Sequence, residues 1–132
     1  MTRDISIDRI ATEAAPKPAG HYSQACAFKD LVFVSGQLPV SLEGKARADL
    51  SFQDQVRLAL SNLLSILKDS GSGADQVLKV TAFIVGVEHW PQFNAVYAEV
   101  FGASRPARSV VPVPSLHHGC LIEIEAIAAR KG

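Results

Sequence analysis

The chain has 132 residues, 48% hydrophobic and 20% charged, with thirteen Lys and Arg balanced by thirteen Asp and Glu. That length predicts one domain over 1–132 with a sizeable core, and 1–9 as a variable N-terminal extension. The scattered charge lacks the basic stripe that displaces counterions from nucleic acid, and no run approaches the roughly 20 apolar residues that cross a bilayer.

Two cysteines, Cys26 and Cys120, are too few for a disulfide framework. The first twenty residues contain no secretory-type apolar run. The expectation is a cytoplasmic protein with reduced thiols and neither nucleic acid nor membrane as a partner.

Residues 16–20 read PKPAG, which resists both helix and central strand. ACAF and LVFVS follow, two strand-like runs divided by Lys29-Asp30, the pattern of a hairpin. SGQLPV leads into a polar loop. Ser51 with Asp54 three residues on resembles a capping box, and Val56, Leu60, Leu63 and Leu67 then repeat at helical spacing. Gly71 and Gly73 are stop signals. Val77 to Gly86 is strand-like. A second helix is expected to carry Trp90, Phe93, Tyr97 and Val100 on one side as core, with Pro91 in its first turn and Gly102 at its end. RPARSVVPVPS gives another extended run, and LIEIEAIAAR closes the chain.

This order of two strands, helix, strand, helix and two strands predicts an α+β domain with both helices on one face of a mixed sheet. Several strands are apolar on both sides, yet two helices cover one face only. The other face is expected to lie against further copies of the chain.

The last strand carries a puzzle. Alternation puts Ile122, Ile124, Ala126 and Ala128 on one side and Leu121, Glu123, Glu125 and Ile127 on the other. Carboxylates drawn out of water need donors. Hairpin-like pairing of the last two strands would bring Arg108 near Glu123, with Arg105 as the alternative partner. Two readings stand: a structural ion pair at an interface, or a small-anion site in which the arginine fork grips a carboxylate and the glutamate polarises water.

At these residues the chain resembles the Rid family, also called YjgF/RidA. The resemblance rests on AGHYSQA (19–25), SGQLPV (35–40), FNAVYAEVFG (93–102), RPARSV (105–110) and IEIEAIA (122–128), in order over nearly the whole chain. It implies a chorismate-mutase-like, YjgF-like fold and a homotrimer with clefts between subunits. It also implies hydrolysis of reactive enamine and imine acids, such as 2-aminoacrylate and 2-iminobutanoate, to 2-oxo acids and ammonia, with no cofactor and no metal. Arg108 then matches the arginine that clamps the substrate carboxylate, and Glu123 the glutamate that activates water. Tyr22 and Ser35 match cleft-lining residues, and Asn94 matches an asparagine at the rim. Val110 stands where many members have cysteine and would contribute backbone groups. Glu125 is expected to make contacts across the trimer. Two further departures, His21 for the usual proline and the segment LHHGC (116–120), fall at the expected cleft mouth.

His117, His118 and Cys120 invite a metal, but adjacent histidines in extended chain point opposite ways, and a loop with incidental histidines is the expectation. Cys120 reads as a small buried hydrophobe with no evident base to activate it. Beside the imine deaminase, two alternatives remain: a non-catalytic, small-carboxylate-binding or regulatory trimer, and an endoribonuclease or translation inhibitor, which the neutral charge disfavours.

Overall fold

The computed structural model describes residues 5–131, and among them no helix is long and apolar enough to cross a membrane. Six strands and two helices run β1 (Asp8–Ile10), β2 (Ala25–Phe28), β3 (Leu31–Gln37), α1 (Phe52–Asp69), β4 (Val77–Val85), α2 (Trp90–Phe101), β5 (Ala107–Val113) and β6 (Ile122–Ala129). They form one sheet of order β1-β2-β3-β6-β4-β5. Only β4 and β5 are parallel, joined by the α2 crossover; the other neighbours are antiparallel.

The local signals act as their chemistry predicts. Lys29-Asp30 closes the β2–β3 hairpin between paired Phe28 and Leu31, with Lys29 at φ 54°. The Ser51 hydroxyl accepts the Asp54 amide at 3.2 Å and caps α1. Behind that cap Val56, Leu60, Leu63 and Leu67 are all buried. They pack on a sheet face made by Val32, Val34, Val80, Ala82, Ile84, Ile122, Ile124, Ala126 and Ala128.

Three expectations are corrected. β1 was not foreseen: Asp8 and Arg9, assigned to the N-terminal extension, pair with β2 together with Ile10. In α2 the buried face is Phe93, Val96, Tyr97 and Phe101, while Trp90 lies at the surface of the first turn and Val100 is half-buried. The last two strands do not pair. β6 lies between β3 and β4, and β5 is displaced to the sheet edge. The reason is burial: β6 is apolar along its whole helix-facing side and takes a central position, whereas β5 is half-exposed throughout.

The sheet face away from the helices stays open. Phe28, Leu31, Phe33 and Val111 are each more than a third exposed there, an apolar surface of the kind that marks an interaction site.

Candidate active site

Glu123 sits on the open face of β6, paired in register with Phe83 of β4. Its carboxylate lies over Gly36, in the bulge that shifts the β3 register between Val34 and Gln37. A Cβ at Gly36 would stand 2.8 Å from Glu123 Oε2, so a glycine is what admits the carboxylate there. The carboxyl is half-buried, and burial pushes its pKa above the ordinary glutamate value. The Glu125 charge raises it further, and His117 partly opposes both.

The carboxylate lines a cavity of about 470 Å³, together with Tyr22, Ser35, Gly36, His117 and His118. Buried polar side chains fix its walls. Gln24 Oε1 accepts the Thr12 amide at 2.7 Å, and Gln24 Nε2 donates to Thr12 O and Pro16 O, both at 3.0 Å, pinning the PKPAG wall. The Ser35 hydroxyl donates to Ser23 O at 2.7 Å. Asn62 Nδ2 donates to Val40 O at 2.9 Å, holding the opposite loop against α1. Gln55 Nε2 donates to Leu50 O at 3.0 Å while its Oε1 accepts the Leu121 amide at 2.9 Å, which fixes the entry to β6.

Arg108 is elsewhere. It pairs in register with Val80, a residue of the helix-covered face, so its side chain leaves the sheet on the side opposite Glu123. There Nη1 donates to Asn94 Oδ1 at 2.9 Å, and the guanidinium lies 4.8 Å from the Tyr97 ring centroid and 5.6 Å from that of Phe93. Val110, two residues on, is half-buried on the same face. Burial raises the Tyr97 hydroxyl pKa, and the adjacent guanidinium partly opposes that shift.

The six expected site residues therefore fall into two groups. Tyr22, Ser35 and Glu123 share the cavity, while Arg108, Asn94 and Val110 gather at the β5 edge. The expected meeting of Arg108 with Glu123 inside one chain does not occur, because β4 separates their strands and the register sends them to opposite faces. Among the described residues neither Arg108 nor Glu123 takes part in an ion pair within the chain; the ion pairs are Arg47–Asp49, Arg57 with Asp54 and Glu99, and Arg130–Asp8. Arg105 is exposed in the loop before β5.

His117–Gly119 is a 3₁₀ turn in the loop before β6, where the two imidazoles do not diverge as they would in extended chain but stand 3.8 Å apart, both on the cavity wall. Cys120 is buried, and burial, followed by the Glu123 charge, raises its thiol pKa, which leaves a poor nucleophile. Among the described residues no three His, Cys, Asp or Glu side chains converge as a metal site. Gln55 and Asn62 escaped the reading of the sequence. Gln55 and Asn62 interrupt the apolar stripe of α1, and polar groups at core spacing were the signal available.

A sequence model described as Endoribonuclease L-PSP matches residues 12–130. A RutC family protein of Pyrococcus horikoshii is 41% identical over 122 residues, covering 92% of this chain and 97% of that protein. Reactive Intermediate Deaminase A, chloroplastic, of Arabidopsis thaliana is 39% identical over 119 residues, covering 90% of this chain and 64% of that protein. The crystal structure of E. coli TdcF with bound serine superposes with a TM-score of 0.88 at 35% identity, covering 94% of this chain and 99% of that one.

Proposed function

The chain belongs to the Rid (YjgF/RidA) family, and from that premise we propose that it hydrolyses 2-imino and enamine acids, such as 2-iminobutanoate and 2-aminoacrylate, to 2-oxo acids and ammonia. The observation that carries the reading is Glu123: a carboxylate partly withdrawn from water, with its pKa raised, on the wall of a cavity. A base whose pKa moves toward neutrality is suited to taking a proton from water. The relative named Reactive Intermediate Deaminase A supports the activity, and the serine held by TdcF supports a small amino-acid-like ligand.

The substrate clamp comes from a neighbouring protomer. Arg108, braced by Asn94 and two aromatic rings at a sheet edge, presents a fork that suits a carboxylate. A homotrimer that covers the open apolar faces would set this edge of one chain against the Glu123 cavity of the next, giving three clefts. Glu125, exposed on that face, then lies among contacts between chains.

Enamines enter as their imine tautomers. In the protonated imine the carbon is already electrophilic, so the site has to hold the acid and deliver water. The water oxygen bonds to the imine carbon and Glu123 takes its proton. The carboxyl returns that proton to the carbinolamine nitrogen, and the C–N bond breaks with its electron pair as ammonia leaves. The hydroxyl proton departs as the 2-oxo group forms. Tyr22 and Ser35 line the cleft around these atoms.

The family model's description points instead to RNA, but thirteen basic against thirteen acidic residues give little counterion release. The same clamp without water activation would make a carboxylate-binding protein. Ammonia release from freshly generated 2-iminobutanoate separates the readings. Arg108→Ala should lower kcat/KM about 10²- to 10³-fold through loss of the charge-assisted grip, and unchanged turnover in that variant overturns the assignment.

A further inference from the structure

The turn before β6 has no role in the reaction above, yet it is built into the cavity wall. His118 adopts φ 60°, and Lys29 is the only other non-glycine residue with positive φ among the described residues. Lys29 needs that geometry to close a two-residue hairpin. His118, followed by Gly119 at φ 74°, forms the turn that the Cys120 amide closes by donating to His117 O at 3.2 Å. Its consequence is geometric: adjacent residues that would diverge in a strand instead place both imidazoles on the cavity wall, 3.8 Å apart.

Lys17 lines the same cavity. It is flanked by Pro16 and Pro18, and Gln24 holds Pro16 O at 3.0 Å, so its backbone is fixed. Among the described residues none of these three side chains takes part in a salt bridge. Among the described residues Glu123 is the sole acid on the wall. Lys17 and the two adjacent imidazoles give this wall N–H donors from which an anion can accept. The cavity of one chain, about 470 Å³ and open on one side, runs from Glu123 to the histidine turn.

From this arrangement we infer that Lys17, His117 and His118 form a distal anion subsite that selects 2-imino acids whose side chain ends in a second carboxylate. The inference rests on the deaminase reading, in which Arg108 of a neighbour holds the first carboxylate and Glu123 faces the imine carbon. The side chain then extends along the wall toward the histidine turn.

The stable products test the subsite on the intact oligomer. Calorimetry compares 2-oxoglutarate with 2-oxohexanoate, a chain of matched reach ending in a methyl group. The dicarboxylate should bind about tenfold more tightly, the gain expected of a charge-assisted contact. His117→Asn with His118→Asn, where asparagine tolerates the left-handed conformation, should bring that ratio toward one, as should Lys17→Met. Equal affinities in the native protein overturn the inference, and so do variants that weaken both ligands by the same factor. Ammonia release from the imines of glutamate and 2-aminohexanoate, made in place by an amino-acid oxidase, separates the two levels. Hydrolysis of both imines at equal efficiency overturns the subsite alone. A dicarboxylate preference in binding with no hydrolysis of any imine overturns the deaminase reading alone.

Discussion

Gly36 shows how one absent side chain sets the chemistry. Its φ is not in the left-handed region, so alanine is tolerated by the backbone, but the added methyl would meet Glu123 Oε2 at 2.8 Å and Cδ at 3.0 Å. The obstructing atoms belong to the end of a flexible side chain, which can swing away. Gly36→Ala should therefore leave thermal stability within about 1 kcal/mol of the native protein and lower kcat/KM about tenfold or more, because a base displaced by an ångström is out of line. A melting curve beside an ammonia-release assay reads both. The protonation of Glu123 gives a second prediction. Its pKa is raised by burial and by Glu125, and the base form exists only above that value. Activity is therefore lost as pH falls through it, and the acid limb of kcat/KM lies above the ordinary glutamate range. Glu125→Gln removes the like charge and should move that limb to lower pH, which a rate profile from pH 4 to 8 would record.

At the scale of elements, local chemistry was legible wherever a segment decides its own conformation. The cap at Ser51 is such a case. Ser51→Ala strips the acceptor from the Asp54 amide and should cost about 1 kcal/mol in urea unfolding without changing the fold. The apolar stripe of α1, the hairpin at Lys29-Asp30 and the alternation of β6 were also readable, because each is a periodicity or a turn. Pairing between distant strands was not. Neighbours in sequence often pair, so β5 and β6 invited a hairpin; the α2 crossover instead places β5 alongside β4 in parallel, and β6 enters between β3 and β4. β1 was missed because three half-exposed residues carry no pattern. The geometry of the histidine loop was not readable for a similar reason: nothing in LHHGC announces a left-handed residue other than glycine. The candidate site residues were thus named through family resemblance, while their separation onto two faces follows from topology that no single segment encodes.

For the whole molecule, the open apolar face and the parting of Arg108 from Glu123 make one argument. A sheet that leaves Phe28, Leu31, Phe33 and Val111 uncovered calls for a partner surface, and the clamp and base of the proposed reaction, on opposite sides of that sheet, would meet one substrate only across two chains. This division has a genetic corollary. Arg108→Ala and Glu123→Gln chains, each expected to be severely impaired as pure assemblies, carry complementary lesions. When they are unfolded together and reassembled at random, a junction is intact wherever a chain that keeps its arginine meets a neighbour that keeps its glutamate, which is about one junction in four. Mixing two impaired proteins should therefore restore roughly a quarter of native turnover, whereas a site housed in one chain would yield no gain.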